Sequence, residues 1–171
     1  MLSQSRLKEF VTYDPVTGIF VWLPRTGDDK GTRHFNQRYA GTIAGGKAKH
    51  YQLLKIDGVV YSAYRLAWLY MTGSFPAAML DHKDGNKRNN AIDNLREATR
   101  SQNMANRPLR ANNTTGARGV WQRKSGTWYA LVKDPSTKKS RYLGTFQTKE
   151  NAVAARRAEE LRIYGEFAFK S

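Results

Sequence analysis

Short periodic runs of apolar residues divide the first part of the chain into helices and strands. Leu7, Phe10 and Val11 have a helical spacing, and the apolar run at residues 19–23 is typical of a strand. Residues 24–39 are polar and charged and contain glycine, which predicts a mobile loop. The pattern therefore predicts a small α+β unit with one irregular loop.

An Asp-Gly pair marks a hairpin in the middle of this unit. The strand-like residues 51–56 and 59–61 flank Asp57 and Gly58, and such a pair is the strongest short-range signal for a two-residue hairpin turn. The apolar residues that follow have a helical spacing. They predict a helix that ends at Gly73.

The last third of the chain has a different pattern. Residues 105–117 lack periodicity and are rich in Asn and Thr, which predicts a linker. After the linker, strands are predicted at 119–123, 128–133 and 141–146. A helix is predicted to begin after Thr148 and to end at Gly165. Its apolar side is predicted to consist of Val153, Ala154, Ala158 and Leu161.

The composition is strongly basic. The 171 residues include 29 Lys and Arg against 14 Asp and Glu, which gives a formal net charge of +15 and a pI near 10.2. Residues 107–171 are the most basic part, with 14 basic and 5 acidic side chains. Because neutralising phosphates releases condensed counterions, this charge favours a nucleic acid as the partner.

The residue types that are missing also narrow the function. The chain has no cysteine, which excludes disulfides, thiolate metal sites and cysteine nucleophiles, so a metal would need oxygen or imidazole ligands. No stretch approaches the roughly 18 consecutive apolar residues of a membrane span, and the first residues lack the apolar run of a secretory signal. We therefore expect a cytoplasmic protein that makes no membrane contact.

Residues 80–107 hold the densest group of chemically competent side chains. Asp81 and His82 are neighbours in a segment predicted to be extended, so their side chains point to opposite sides and suit two different tasks. A carboxylate suits Mg²⁺, and a neutral imidazole suits a general base. A short helix is predicted over 97–107, where Asn103 and Asn106 share a face and either one could be a second metal ligand.

Three sequence blocks in this region are similar to a known nuclease motif. They read Asp-His-x-Asp-Gly-Asn-x-x-Asn-Asn, Ile-x-Asn-Leu-Arg and Ser-Gln-Asn-x-x-Asn-Arg, starting at Asp81, Ile92 and Ser101. They resemble the HNH motif of phage and group I intron homing endonucleases, whose fold is a ββα-metal hairpin and helix. Upstream blocks, Tyr-Asp-Pro-x-Thr-Gly-x-Phe-x-Trp and Arg-Leu-Ala-Trp, extend the resemblance to roughly residues 6–107. Tyr64 stands where these relatives often have histidine.

This resemblance implies a role for each matching residue. His82 would be the general base for the attacking water, and Asp81 with Asn103 would hold one divalent cation. Asn94 would pin the loop and orient the histidine. The asparagine at the third motif position, where others have histidine, favours Mg²⁺ or Mn²⁺ over softer metals. Asn106 remains the alternative to Asn103.

A second resemblance covers the C-terminal part. The blocks Arg-Gly-Val-Trp-Gln-Arg, Gly-Thr-Trp-Tyr-Ala and Tyr-Leu-Gly-Thr-Phe are similar to the plant ethylene-response-factor (APETALA-two) DNA-binding domain, which lays a three-stranded sheet in the major groove. The positions that match its DNA-contacting strands are Arg118, Trp121, Arg123, Lys133 and Tyr142. Because Leu131 replaces a common acidic residue, we do not expect the plant target sequence.

These observations predict an α+β chain with an HNH nuclease domain at 1–107, whose ββα-metal core lies at about 76–107. A linker at 108–117 and a DNA-binding domain at 118–171, with a three-stranded antiparallel sheet and one helix, would follow. The expected activity is metal-dependent, homing-type cleavage of double-stranded DNA by a monomer. It would use one divalent cation per active site and no small-molecule cofactor, in a bacterial or phage-infected cell. A non-catalytic DNA-binding regulator built from the same modules is the alternative.

Overall fold

The computed structural model describes residues 1–47, 50–109 and 111–169. Within those ranges the chain has five α helices and four small antiparallel sheets, a mixed architecture consistent with the predicted α+β class. The chain divides into two compact units, Met1–Ala98 and Thr99–Ser171. None of the helices in the described ranges is long and apolar enough to cross a membrane.

The first unit contains three helices and three sheets. In chain order its elements are α1 (Gln4–Phe10), β1 (Val11–Tyr13), β2 (Phe20–Trp22), α2 (Lys30–Tyr39), β3 (Gly46–Lys47), β4 (Gln52–Ile56), β5 (Val59–Ser62), α3 (Ala63–Thr72), β6 (Met79–His82), a 3₁₀ turn (Ile92–Asn94) and β7 (Leu95–Ala98). The antiparallel sheets are β1-β2, β3-β4-β5 and β6-β7. The pairing of β6 with β7 forms the hairpin of the candidate site.

A single apolar core holds this unit together. Leu7 from α1, Phe20 from β2, Leu54 from β4 and Leu66 from α3 are all fully buried in it. Burying a side chain of this size stabilises the fold by about 1.5–3 kcal/mol. The helices and the central sheet therefore form a firm base for the β6-β7 hairpin, whose Leu95 belongs to the same core.

The predicted hairpin at Asp57-Gly58 and the predicted helix end at Gly73 are confirmed. Asp57 and Gly58 both have positive φ, 48° and 80°, as a type I′ turn requires. Gly73 has φ 85° and donates its N–H to the carbonyl of Leu69, which ends α3 in the left-handed conformation. Local turn chemistry therefore determines both features.

The mobile loop predicted at 24–39 is wrong, because α2 occupies residues 30–39. Asp29 caps this helix by accepting hydrogen bonds from Gly31 and Thr32. The Asn36 carboxamide bonds both the N–H and the carbonyl of Arg25, at 2.7 and 2.9 Å. Polar composition concealed a helix that is held by its cap and by side chain to backbone bonds, and that buries no residue fully.

The second unit contains α4 (Arg100–Ala105), β8 (Val120–Gln122), β9 (Trp128–Lys133), β10 (Ser140–Phe146), α5 (Lys149–Tyr164) and a 3₁₀ turn (Gly165–Phe167). The three strands form an antiparallel sheet, as predicted; their order is β10-β9-β8, and α5 packs against the sheet. Between α4 and β8 the described residues form neither helix nor strand. Thr148 caps α5 and Gly165 ends it, also as predicted.

The helix predicted over 97–107 is shorter in the structure. Residues up to Ala98 belong to β7, where Ala98 pairs with Met79. Thr99 and Gln102 then form a reciprocal capping box that starts α4. Strand pairing thus takes residues that helical spacing alone had assigned to the helix.

The buried side of α5 agrees with the prediction at Val153, which packs against the core of this unit, and differs from it elsewhere. Ala152 and Arg156 are the buried residues of this helix, whereas Leu161 is exposed. Arg156 tolerates burial because Glu160, one turn further on, forms an ion pair with it at 3.2 Å. An apolar periodicity cannot identify a core position that holds a charged but paired side chain.

Candidate functional site

The β6-β7 hairpin places Asp81 and His82 in the protein interior. Asp81 lies opposite Arg96 in the register and His82 lies opposite Leu95. Both side chains are nearly covered, with exposed fractions of 5% and 6%. The prediction that residues 79–82 are extended is confirmed.

Asp81 is paired with a cation from the neighbouring strand. Oδ2 of Asp81 accepts hydrogen bonds from Nε and Nη2 of Arg96 at 3.1 and 2.9 Å, and both side chains are largely buried. A buried carboxylate without such a partner is very costly, so the Arg96 guanidinium offsets the cost of burying the Asp81 carboxylate. Sequence reasoning missed Arg96, although the hairpin register of β6 and β7 would have placed it opposite Asp81.

Asn94 ties together the loop that follows His82. Its Oδ1 accepts from the Asp84 N–H at 3.1 Å, and its Nδ2 donates to Asp84 Oδ1 and to the Asn89 carbonyl at 3.0 and 2.9 Å. The backbone carbonyl of Asn94 also accepts from the Lys83 N–H at 2.8 Å. These contacts hold the two ends of the loop together next to His82.

The Asp84 carboxylate stays ionised inside this loop. Burial acts to raise its pKa, but hydrogen bonds from Asn89, Asn86 and Asn94 outweigh burial and hold the pKa of Asp84 below its usual value. The loop is therefore an ordered set of amide-to-carboxylate bonds and adds a fixed negative charge near His82.

The surroundings of His82 favour its neutral form. Burial is the main cause that lowers the pKa of His82 below its ordinary value, opposed by Asn90, Asp84 and Asp81. The ring of Tyr64 contacts the imidazole edge-on, with 5.3 Å between ring centroids. A neutral imidazole at physiological pH is the form that can accept a proton.

Tyr64 stands where the resemblance noted in the sequence led us to expect histidine. It belongs to α3, contacts His82 and packs against Tyr51, with 5.4 Å between the two tyrosine ring centroids. Burial raises the pKa of its hydroxyl, so it stays protonated. In this chain the position therefore supplies an aromatic wall for His82.

Asn103 and Asn106 belong to the second unit, on and just after α4. Asn103 is half-buried, and Asn106 is buried at the end of the helix. Among the described residues, no group of three or more His, Cys, Asp or Glu side chains is placed to hold a metal ion. Of the residues that the HNH resemblance assigns to the cation, Asp81 is the one that carries a carboxylate.

Four of the residues predicted to contact DNA lie on the sheet face of the second unit that points away from α5. Trp121 and Tyr142 are exposed, and Trp121 stacks on Tyr129 with 5.5 Å between ring centroids. The Arg123 guanidinium lies 5.1 Å from the Tyr129 ring, and Lys133 at the end of β9 is exposed. We call Trp121, Arg123, Tyr129, Lys133 and Tyr142 the aromatic face.

Arg118, the fifth predicted DNA contact, is engaged within its own unit. Its guanidinium is half-buried and donates to the carbonyl oxygens of Ala105 and Arg107. It also lies 3.5 Å from Glu160 of α5. Burial lowers the pKa of Arg118. The structure thus gives Arg118 protein partners in place of an exposed position.

Residues 61–105 match the HNH endonuclease family model. The matched segment contains the β6-β7 hairpin with Asp81, His82 and Asn94, together with α3. The match supports a nuclease, and hence a hydrolase, class for this segment.

Two curated proteins share parts of the sequence. Protein 3.8 of Escherichia phage T7 is 36% identical over 67 residues, which are 38% of this chain and 55% of that protein. The ethylene-responsive transcription factor ERN1 of Medicago truncatula is 49% identical over 45 residues, which are 26% of this chain and 17% of that factor. The chain thus spans about half the length of the first relative and less than a fifth of the second. No solved structure matches it significantly.

Proposed function

We propose that this protein is a metal-dependent HNH endonuclease that hydrolyses phosphodiester bonds in double-stranded DNA, of the homing type. One observation carries the proposal. Within the segment that matches the HNH family model, a single strand presents a buried, charge-paired carboxylate, Asp81, next to a buried imidazole, His82, whose surroundings keep it neutral. The phage relative supports a phage or bacterial setting.

His82 is the proposed general base. Its neutral imidazole accepts a proton from a water molecule as that water attacks the phosphorus atom in line with the leaving oxygen. The P–O3′ bond breaks, so the products carry 5′-phosphate and 3′-hydroxyl ends. Asn94 contributes by holding the loop after His82 closed on both sides.

The residues present fit a hard divalent cation. Arg96 holds the Asp81 side chain at a defined position, and a carboxylate oxygen is the ligand type that Mg²⁺ or Mn²⁺ takes. Mg²⁺ needs few protein ligands, because water and substrate phosphates fill its remaining positions. Asp81 with Asn103, or with Asn106, would hold the cation, which would supply positive charge to stabilise the phosphate under attack.

The aromatic face is the proposed DNA-binding surface of the second unit. It combines exposed cations, which contact phosphates, with exposed aromatic rings on a sheet that the major groove can admit. Trp121, Arg123, Lys133 and Tyr142 keep their assigned role, and Arg118 is left out because its partners lie within the protein. The partial similarity to the plant transcription factor supports this assignment. We expect the protein to act as a monomer and without a small-molecule cofactor.

The deciding experiment is conversion of supercoiled plasmid to nicked and linear forms by the wild type and His82→Ala, each with Mg²⁺ and with EDTA. We expect cleavage that needs the metal and that falls by about 10²–10⁴-fold in His82→Ala, the usual contribution of a general base. DNA affinity should change little. Equal cleavage by both proteins would show that His82 is not the base.

The same assay measured against pH gives a second test. Because burial lowers the pKa of His82, the neutral base persists below the ordinary histidine value of about 6.5. The rate should therefore stay level as the pH falls towards 6.5 and decline only below it. A decline that begins well above that pH would contradict the assignment.

A non-catalytic DNA-binding regulator is the second candidate. The observation that favours it is the Asp81–Arg96 ion pair, because a carboxylate that is already paired with arginine can have a purely structural role. Such a regulator would bind DNA in a salt-sensitive way and leave the plasmid intact under every metal condition.

A further inference from the structure

We propose that α2 is a second DNA-binding element of this protein, a helix of the first unit that enters the major groove of duplex DNA. The helix lies outside residues 61–105, the segment that matches the HNH endonuclease family model. The inference rests on the proposed function, because it adds a contact with the same substrate. It also gives the first unit a means of reading sequence that is separate from the aromatic face of the second unit.

One side of α2 carries only cationic and hydrogen-bonding side chains. Five positions have the i, i+3, i+4, i+7 and i+8 spacing of a single helix face, and all five side chains are exposed. They are Lys30, Arg33, His34, Gln37 and Arg38. The sequence of this helix contains no carboxylate, and residues 30–56 contain six Lys and Arg but no Asp or Glu. The face is therefore a local concentration of positive charge.

The opposite side of α2 attaches the helix to the first unit. The Phe35 ring packs edge-on against Trp22 of β2, with 5.7 Å between ring centroids. The Arg25 guanidinium lies 3.6 Å from the centroid of the Phe35 ring. The backbone of Arg25 bonds the Asn36 carboxamide through both its N–H and its carbonyl. These contacts determine which side of the helix faces the solvent, so the five exposed side chains are presented together on a supported element.

The charges of this face do not stabilise the helix in the free protein. Lys30 is the first helical residue, where a cation is unfavourable because the helix dipole is positive at that end. Arg33 follows at i+3, and like charges at this spacing repel each other. Arg33 pairs with Asp28 at 2.9 Å, but both side chains are well exposed, so this pair contributes little. A bound polyanion would relieve the repulsion and neutralise charges that α2 itself cannot pair.

The dimensions of α2 suit the major groove. Its 10 residues form a helix about 15 Å long, and the major groove of B-DNA, about 12 Å wide, admits an α-helix. Arg33 and Arg38 are five positions apart, which places them about 140° apart around the helix axis, at the two edges of the face. Lys30, His34 and Gln37 lie between them. The two arginines are therefore placed for phosphates on either side of the groove, and Gln37 for the base edges, where glutamine pairs with adenine.

The test measures how DNA binding by the full-length protein depends on salt. Fluorescence anisotropy with a labelled duplex of mixed sequence gives log Kobs against log salt for wild type, Arg38→Gln and Arg38→Lys. We expect the negative slope to become shallower by about 0.9 in Arg38→Gln, the value for one lost phosphate contact, and to be restored in Arg38→Lys. Because Arg38 is exposed, neither substitution should unfold the protein. An unchanged slope in Arg38→Gln overturns the inference.

Lys8→Gln is the matched control. Lys8 is an exposed cation in the last turn of α1, as Arg38 is in the last turn of α2. Each cation also lies over a tyrosine ring, Lys8 at 4.9 Å from the centroid of Tyr70 and Arg38 at 5.6 Å from that of Tyr39. We expect Lys8→Gln to keep the wild-type slope. An equal change in both variants would show that binding responds to total charge, and the role of α2 would be refuted.

A duplex RNA separates entry into the groove from general attraction to phosphate. The major groove of A-form RNA is deep and narrow, so an α-helix cannot enter it. We expect Arg38→Gln to weaken binding to duplex DNA and to change binding to a duplex RNA of the same length and sequence by less than about twofold. Equal weakening on both duplexes would contradict the proposal that α2 enters the groove.

Selection from a random duplex library tests whether Gln37 reads a base. We expect the wild type to select adenine at one or more positions, and Gln37→Ala to lose this preference by about 5–150-fold, the range for one bidentate base contact. Identical selected sequences for the two proteins would refute the reading of bases by this helix.

Binding and cleavage measured on the same proteins distinguish this inference from the nuclease assignment. A shallower slope for Arg38→Gln, in a protein that binds DNA and leaves it intact with Mg²⁺, would support the role of α2 and refute only the nuclease. Metal-dependent cleavage together with an unchanged slope for Arg38→Gln would refute only the role of α2.

Discussion

Asp81 and Arg96 in the first unit lie buried and bonded to each other, whereas Arg123 and Lys133 in the second unit lie on an exposed sheet face beside aromatic rings. The first arrangement holds a carboxylate at a defined position. The second leaves positive charge available to phosphate. A chain of +15 net charge therefore does not use its charges uniformly, and only the exposed set should determine how DNA binding depends on salt.

Breaking the buried pair should have the largest effect on stability. Arg96→Leu leaves the Asp81 carboxylate buried without its partner, and we expect a loss of about 3–5 kcal/mol in the free energy of unfolding. Urea denaturation followed by circular dichroism measures the change. Arg33→Leu is the control, because its ion pair with Asp28 lies on the surface and should contribute less than about 1 kcal/mol. Equal losses in the two variants would erase the distinction between the buried and exposed charges.

Two glycines of the first unit differ in what surrounds them. Gly18 and Gly85 have the same φ of 72°, but an added Cβ meets the backbone of Asn90 and Ala91 at Gly18 and open space at Gly85. We expect Gly85→Ala to cost about 1–2 kcal/mol, the usual cost of the left-handed region for alanine. Gly18→Ala should cost clearly more, because backbone atoms must also move. Similar melting temperatures for both variants would contradict close packing of Gly18 on the backbone of Asn90 and Ala91.

The smallest effect concerns the aromatic face. Replacing Arg123 or Lys133 by glutamine should each make the negative slope of log Kobs against log salt shallower by about 0.9, the value for one lost phosphate contact on duplex DNA. Fluorescence anisotropy of labelled DNA at several salt concentrations measures this slope. Arg141→Gln is the control from the same sheet, because Arg141 is bonded to Glu159 of α5 on the other face. An unchanged slope for Arg123 and Lys133 would move DNA binding away from this face.

Local patterns predicted those elements whose signals lie within a few residues. The Asp57-Gly58 turn, the end of α3 at Gly73, the three strands of the second unit and the cap of α5 at Thr148 all follow from turn and cap chemistry. The helix α2 escaped prediction because its polar residues are held by Asp29 and Asn36 and not by an apolar stripe. The sequence did not predict the buried side of α5, because Arg156 is buried there and its charge is paired with Glu160.

The amino-acid sequence is enough to give the basic charge, the absence of cysteine chemistry and the pair of side chains, Asp81 and His82, on which the proposed function rests. The surroundings of these two side chains come from the fold. Arg96 comes from a paired strand, and Asn90 is held by Gln52, 38 residues earlier in the chain, and by Tyr13, 77 residues earlier. The physical reason is that burial and hydrogen-bond partners depend on which distant segments pack together, and spacing along the chain does not encode that contact.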